Sequence, residues 1–184
     1  MNALEALHTR TSCSRLTEPA PSPEQLDNIC LAAVRAADHA LLTPWRFLCI
    51  RGASLDKLGD LFVTASLEAD STLGETKIAS IRFKPRRAPL IIVTVAKHQI
   101  HPKVPSFEMD LSAAAATQNM LLAAHAQGLG GMWRTGSMAY NDTVKKGLGL
   151  EDSENIIGFL YLGNRSVPPR KLSPALLTDY FLDW

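Results

Sequence analysis

Residues 90–96 read Leu-Ile-Ile-Val-Thr-Val-Ala, a continuous run of apolar and mostly β-branched side chains. A run of this length without polar alternation is typical of a strand that is buried on both faces of a sheet. A second run, Ile156–Gly163, has the same character. Between them lies Leu111–Gln127, an alanine-rich segment that is apolar nearly all round, which predicts a central or interface helix. The pattern predicts an α+β protein, or an α/β protein with a small mixed sheet.

Shorter segments complete this outline. Ser22 followed by Pro23 and Gln25 is the capping pattern that begins a helix. We predict that this helix ends in Arg35-Ala36-Ala37-Asp38-His39, where the four-residue spacing puts Arg35 and His39 on one helical face. The remaining predicted elements are strands at Phe47–Ile50 and Met132–Thr135, and helices at Ser54–Glu68, Thr72–Phe83 and Asp142–Gly147.

The composition limits the class of protein. The chain has 184 residues, of which 46% are hydrophobic and 20% charged, so we expect one globular domain spanning 1–184. A net charge of +1 argues against a nucleic-acid-binding protein. The three cysteines have no paired or metal-ligand spacing, which favours free thiols in a reducing compartment. The longest apolar run is too short to span a bilayer. We therefore expect a cytoplasmic protein without nucleic-acid or membrane partners.

A candidate anion site lies near the start of the chain, where two arginines flank four small residues in Arg10-Thr11-Ser12-Cys13-Ser14-Arg15. Guanidinium groups beside hydroxyls and backbone amides suit a phosphate. The same residues suit a solvated helix end, where arginine offsets the negative pole of the helix dipole. The residues alone leave both interpretations open.

Four other stretches contain charged, glycine-rich or histidine residues that could belong to a functional site. Trp133-Arg134-Thr135 places an arginine among apolar neighbours, so its charge needs an acidic side chain or a bound ligand as partner. The basic cluster within Arg82–Arg87 is typical of a solvated helix end. Gly128–Gly131 follows a helix and precedes a strand, the reverse of a nucleotide-binding turn. His98 and His101 lack a metal-binding pattern, and we predict no metal site.

Several of these stretches, in this order and spacing, resemble the nitroreductase superfamily of flavoproteins, and most closely its small YdjA-like branch. The resemblance extends over most of the chain and is weakest after Gly163. It rests on short segments, which are Leu4–Leu7, Arg10–Ser12, Glu18–Pro21, Arg35–His39, Pro44–Phe47, Arg87–Ile92, Lys103–Pro105, Gln127–Gly136 and Gly158–Gly163.

The resemblance implies a nitroreductase-like three-layer α+β fold, in which helices flank a small mixed β-sheet and a long central helix lies at a dimer interface. It also implies a homodimer with two FMN sites at that interface. The cofactor-binding residues that it implies are Arg10, Thr11 and Ser12 at the phosphate and ribityl chain, Trp133, Arg134 and Thr135 of the same subunit, and Arg35 and His39 across the interface.

The electron donor that the resemblance implies is NADH or NADPH. The resemblance implies that members of this branch bind the nicotinamide near the end of the central helix. The residues implied there are Ala123, Ala124, His125, Ala126, Gln127 and Gly128. No catalytic side chain is implied, because the flavin itself carries the chemistry.

The chain departs from the family pattern at several positions. Thr11 replaces a second arginine, and Ser14 stands where larger relatives place a basic residue. We therefore expect Arg35 to supply positive charge near the flavin pyrimidine. Leu41-Leu42-Thr43 replaces an Asn-x-Gln motif in a loop near the flavin face, which affects the range of substrates. Larger members often use a basic C-terminal segment on the phosphate, and the corresponding residues here are Arg170 and Lys171.

The function that the resemblance implies is hydride transfer from NADH or NADPH through FMN to an electron-poor small molecule, such as a nitroaromatic compound or a quinone. Three alternatives stay open. One is a non-catalytic flavin-binding or sensing protein, and another is a different flavin-dependent redox reaction on the same fold. The third is an acyl or thiol enzyme that uses Cys13.

Overall fold

The computed structural model describes residues 1–184, and a five-stranded sheet forms its centre. The strand order is β1-β5-β3-β2, and β4 also pairs with the long strand β5. Strand β5 therefore contacts three other strands and ties the sheet together. The strands are β1 (Leu16–Thr17), β2 (Trp45–Arg51), β3 (Leu90–Lys97), β4 (Gly130–Arg134) and β5 (Glu154–Arg165).

Helices cover both faces of the sheet. Helix α5 packs against α2 on one face, and α3 packs against α4 on the other. None of the helices combines the length and the apolar character that crossing a membrane requires. The helices are α1 (Ala3–Thr9), α2 (Pro23–Ala33), α3 (Ala53–Ala69), α4 (Glu75–Phe83), α5 (Ser106–Ala126) and α6 (Asp142–Gly147).

Strand β3 separates two hydrophobic cores, which confirms that it is buried on both faces. Ile91 and Val93 belong to the core beneath α3, whereas Leu90 and Ile92 belong to the core beneath α5. Each of these side chains is at most 2% exposed. Successive residues of a strand point to opposite faces, so one apolar run supplies both cores and explains why it lacks polar alternation.

The predicted start of α2 is confirmed. The Ser22 hydroxyl accepts from the Gln25 backbone amide at 3.2 Å, and the Gln25 side-chain oxygen accepts from the Ser22 backbone amide at 3.0 Å. This reciprocal pair satisfies two amides that have no partner within the helix.

The predicted end of α2 is wrong. The helix ends at Ala33, Arg35 lies in the following turn, and His39 begins a separate 3₁₀ turn. The Asp38 carboxylate instead accepts from the backbone amide of Thr43 at 2.6 Å, a local bond that competes with helix formation. Arg35 and His39 therefore do not share a helical face.

The sheet is antiparallel throughout rather than mixed. All four strand pairs run in opposite directions. A parallel pair needs a crossover that returns the chain to the same end of the sheet. None of the connections between paired strands returns the chain to the same end of the sheet, so no pair is parallel. The α+β class and the flanking helices agree with the prediction.

Candidate functional site

The loop that follows α1 is fixed to the edge of the sheet. The Asn2 side chain caps α1 by accepting from the Glu5 amide at 2.8 Å, and the helix ends at Thr9. The Cys13 backbone amide then donates to the Gly131 carbonyl of β4 at 2.9 Å. Strand β1 follows and pairs with the end of β5. Residues 10–15 are thus held between a helix end and two strands.

Arg165 of β5 holds this loop from the sheet side. Its guanidinium donates to the Thr11 carbonyl at 2.9 Å and to the Thr11 hydroxyl at 3.3 Å. Thr11 is buried as a result, with 7% of its surface exposed. The Nη1 atom of Arg10 is also buried, but it has no hydrogen-bond partner. A buried cationic donor without a partner is costly, so this atom is suited to a bound anion.

His125, near the end of α5, contacts the start of the loop. Its Nε2 lies 2.9 Å from the Thr9 hydroxyl, which itself donates to the Glu5 carbonyl at 2.6 Å. The hydroxyl must therefore accept from His125, which assigns the proton to Nε2. Burial, followed by the positive charges of Arg165 and Arg10, lowers the pKa of His125 below its ordinary value, although Glu5 acts in the opposite direction.

The predicted segment around Trp133 lies on β4, where its side chains alternate between the two faces of the sheet. Trp133 points toward the α5 side and donates from Nε1 to the Ile157 carbonyl at 3.3 Å. Its indole covers Gly158, where an added Cβ would lie 2.1 Å from Nε1. Glycine at this position allows the tryptophan to lie flat against β5.

Arg134 lies on the opposite face. Its guanidinium carbon is 5.4 Å from the centroid of the Tyr161 ring, a cation–π geometry. The Nε atom of Arg134 is buried and has no hydrogen-bond partner. No acidic side chain pairs with Arg134, and a bound ligand stays the predicted partner of its charge.

A cavity of about 390 Å³ lies between β4, β5 and the turn after α4, and Lys84, Arg87 and Arg134 line it together with Trp133, Thr135 and Tyr161. A second cavity of about 520 Å³ adjoins it, since Arg87 and Arg134 line both, and Arg15 lines the second. We call the two together the basic cavity, because it is lined by basic side chains and by no carboxylate; these are Arg15, Lys84, Arg86, Arg87 and Arg134.

Sequence reasoning did not identify Lys84, Arg87 and Arg165 as site residues. The solvated helix end predicted for this cluster fits Arg82 and Arg86, which pair at the surface with Asp60 and Asp56. Lys84 and Arg87 lie on the same 3₁₀ turn as Arg86, but they have no acidic partner and line the first cavity, whereas Arg86 reaches only the second. Burial, together with the nearby charges of Lys77 and Arg87, lowers the pKa of Lys84.

Arg35 and His39 lie away from the basic cavity. Arg35 lines a largely apolar groove between α1, α2 and α5, whereas the Nδ1 of His39 lies 2.6 Å from the carboxylate of Glu108. The loop after His39 is strained, because Ala40, Leu41 and Thr43 all adopt positive φ. Within one chain, the structure therefore does not bring Arg35 and His39 together with Arg134.

The residues predicted to meet the nicotinamide are mostly engaged with the protein itself. Ala124 is fully buried, and His125 is bonded to Thr9. The Gln127 amide donates to the carbonyls of Gln25 and Ala123. Of the residues predicted to meet the nicotinamide, Ala123 and Ala126 line the groove beside Arg35. Gly128 lies after the end of α5 and adopts a φ of +82°. The nicotinamide assignment stays a prediction.

The arrangement does not support nucleophilic chemistry at Cys13. Its side chain is 2% exposed, and its thiol donates to the Arg15 carbonyl at 3.1 Å. A thiol held in this way cannot meet a substrate, which argues against the thiol-enzyme alternative. The arrangement instead offers unpaired cationic donors around a partly aromatic cavity, and such a site suits a planar ligand that carries a phosphate.

Known proteins match nearly the whole length of the chain. The family model described as the nitroreductase family matches residues 7–164. The chain is 43% identical over 176 residues to YdjA of Escherichia coli strain K12, which is named as a candidate NAD(P)H nitroreductase. That match covers 96% of this chain and 93% of YdjA.

Two solved structures extend the comparison to the fold. A nitroreductase-like family protein from Bacillus cereus, 24% identical, has a TM-score of 0.84 over 100% of this chain and 96% of its own. A candidate nitroreductase from Desulfovibrio desulfuricans, solved in complex with FMN, is 26% identical and has a TM-score of 0.77 over 100% and 97% of the two chains. The nitroreductase-like α+β fold is confirmed.

Proposed function

The chain belongs to the nitroreductase family, a family of oxidoreductases, and from this membership we propose that it is an FMN-dependent NAD(P)H oxidoreductase that works as a homodimer. Its acceptor is an electron-poor small molecule, such as a nitroaromatic compound or a quinone. The free state of all three cysteines supports a cytoplasmic location, where thiols stay reduced.

The observation that carries the proposal is the pair of unpartnered guanidinium nitrogens, Nη1 of Arg10 and Nε of Arg134. Both are buried, and neither has an acceptor within the chain. Buried donors without partners are rare in folded proteins. A phosphate and a ring carbonyl or ring nitrogen are acceptors that suit such donors, and FMN carries all of them. The residues present therefore fit the cofactor.

The proposed binding residues follow from this fit. Arg10, Thr11 and Ser12 hold the phosphate and ribityl chain, and Arg165 keeps Thr11 in place. The residues proposed to lie beside the flavin ring are Trp133, Arg134 and Thr135. From the other subunit come Arg35 and His39, and the nicotinamide approaches at Ala123, Ala124, His125, Ala126, Gln127 and Gly128.

The chemistry that FMN supplies when bound is the transfer of a hydride from NADH or NADPH to the acceptor. The chain's own residues bind the cofactor, orient it and shield it from water. Arg134 is held over the Tyr161 ring, so its donors keep a fixed direction. The hydrogen bond from Trp133 to Ile157 fixes the indole. No side chain is assigned as a catalytic acid or base.

The apolar groove beside Arg35 supports the dimer. It has a volume of about 390 Å³, and its lining includes Ala3, Leu7, Leu122 and Ala126. Small residues allow two helices to approach closely, and an exposed apolar groove of this kind is typical of a protein interface. Arg35 at its edge would then face the second subunit.

The visible spectrum of the purified protein, read before and after heat release, tests the proposal. We expect a yellow protein that releases FMN, and anaerobic oxidation of NADH or NADPH that depends on an added quinone or nitroaromatic compound. A yellow protein without turnover would favour the non-catalytic flavin-binding alternative. A colourless protein that does not rebind FMN would contradict the proposal.

A further inference from the structure

His125 lies where three elements meet beside the proposed phosphate site. It stands in the last turn of α5, and its Nε2 donates to the Thr9 hydroxyl at 2.9 Å. Thr9 is the last residue of α1, so the next residue along the chain is Arg10. From the side of β5, Arg165 holds Thr11. Only 9% of the His125 surface is exposed, so these neighbours determine the environment of its ring.

The charged groups that act on His125 are mostly positive. Burial lowers its pKa most, followed by Arg165 of β5 and Arg10, whereas Glu5 of α1 raises it. The ordinary pKa of histidine is about 6.5, so in the free protein this ring is neutral near pH 7. The two arginines that disfavour a proton on His125 are the two that lie on either side of Thr11, where the phosphate is proposed to bind.

A bound phosphate reverses this electrostatic balance. A phosphate monoester carries about 1.5 to 2 negative charges near pH 7. At the buried Nη1 of Arg10, which has no acceptor in the chain, it offsets the positive charge that opposes protonation of His125. A negative charge also favours the imidazolium directly, so His125 binds a proton more tightly in the complex than in the free protein.

We propose that His125 is a positioning residue for the cofactor phosphate, which holds Arg10 in place through Thr9 and takes up a proton from water at Nδ1 when the phosphate binds. This inference rests on the proposed function, because it takes the FMN phosphate to lie at Arg10. It gives His125 a role separate from the nicotinamide contact that the resemblance implies. The coupling is reciprocal, so protonation of His125 strengthens binding of the phosphate.

The Kd values of FMN and of riboflavin, which lacks the phosphate, test the inference when they are measured on the apoprotein between about pH 7.5 and 5.5. The variant His125→Gln keeps a donor for Thr9 but cannot take up a proton. We expect the ratio of its FMN Kd to that of the unaltered protein to rise about three- to tenfold as the pH falls. Ionisation of FMN itself cancels in this ratio. The riboflavin ratio should stay constant, and His101→Gln, beyond the opposite end of α5, should behave like the unaltered protein.

The hydroxyl of Thr9 provides a second arm of the test. Thr9→Val removes the acceptor of the His125 bond and should weaken FMN binding about two- to tenfold, and riboflavin binding less. Thr9→Ser keeps the hydroxyl and should bind FMN like the unaltered protein. An equal loss for both flavins in Thr9→Val would indicate a structural role alone and would overturn the inference.

NMR titration of the unaltered protein gives a measurement that depends on no substitution. The His125 ring, identified by its proximity to Thr9, should titrate at a higher pH in the FMN-loaded protein than in the riboflavin-loaded protein. Equal midpoints, or an FMN Kd ratio that does not change with pH, would overturn the inference while leaving the proposed function intact. An apoprotein that binds neither flavin at any pH would count against the proposed function itself.

Discussion

Arg10 carries an unpartnered buried atom that predicts a bound anion. Its buried Nη1 has no acceptor in the chain, and the adjacent Thr11 is already held by Arg165. We expect Arg10→Gln to weaken FMN binding about 10- to 100-fold, because hydrogen bonds to charged groups contribute about 1.5–3 kcal/mol. Titration of the apoprotein with FMN, followed by flavin fluorescence, measures this. Arg51→Gln, at an exposed position at the end of β2, is the matched control and should bind FMN like the unaltered protein.

His125 predicts a pH dependence of stability. Its pKa is lowered in the folded protein by burial, Arg165 and Arg10, whereas the unfolded chain has the ordinary value of about 6.5. The unfolded state therefore binds the proton more readily, and the free energy of unfolding falls as the pH drops through about 6.5 toward the folded pKa. We expect the melting temperature of His125→Gln to depend less on pH between about 7.5 and 5.5 than that of the unaltered protein. Parallel pH profiles for the two proteins would contradict this role.

Arg10 and Arg134 each stand in a short segment that resembles the family, and their role at the cofactor stays a prediction. Lys84 and Arg87 were not found, since the direction of their side chains depends on the 3₁₀ turn after α4. Arg165 was missed for a related reason. Its partner Thr11 is 154 residues away in the chain and becomes adjacent only when β1 pairs with β5.

At the level of elements, the fit between β4 and β5 depends on Gly158. A Cβ there would lie 2.1 Å from Trp133 Nε1 and 3.0 Å from the Arg134 carbonyl. We expect Gly158→Ala to destabilise the protein by about 1–3 kcal/mol through overpacking, which for a chain of this size lowers the melting temperature by roughly 2–4 °C per kcal/mol. Gly74→Ser is the control, because Gly74 has open space, an ordinary φ of −70° and the N-cap position of α4, where serine is accepted. Equal melting temperatures for the two variants would show that the indole moves aside without cost.

Hydrophobic periodicity predicted a strand or helix well where all of its side chains are buried to a similar degree. The run at 90–96 identified β3 because both of its faces are covered, and Ser22 identified the start of α2 because its cap is local. The end of α2 was not predictable from the same pattern. Arg35 and His39 keep helical spacing in the sequence, but the bond from Thr43 to Asp38 redirects the backbone.

At the scale of the whole molecule, the groove between α1, α2 and α5 leads to a prediction about assembly. We expect sedimentation to give twice the chain mass of 20.1 kDa. Ala126→Glu should shift the protein toward the monomer and reduce its FMN content, because a buried charge is not tolerated in a packed interface. Ala53→Glu places the same charge on the exposed start of α3 and should leave the mass unchanged. A dimer that persists in Ala126→Glu would place the interface elsewhere.

Neither the hydrophobic periodicity nor the residue spacing of the sequence predicted how two chains associate. The alanine-rich pattern of α5 predicted a helix covered on most sides, and within one chain α2, β3 and β4 cover it only in part. The segment after β5 gave no strong pattern, and its side chains are exposed in the single chain.

The fixed indole of Trp133 also provides an optical reporter. The three tryptophans differ in surroundings, since Trp184 is fully solvated, Trp45 is half-buried at the start of β2, and Trp133 lies beside the basic cavity. Tryptophan emission overlaps flavin absorption, so excitation energy passes from a nearby indole to a bound flavin. Emission from Trp133 should therefore dim as the site fills, while Trp184 contributes the red-shifted light of a residue in water. Replacing both Trp45 and Trp184 with phenylalanine would leave Trp133 as the one tryptophan, so that the fluorescence of the protein would follow cofactor loading.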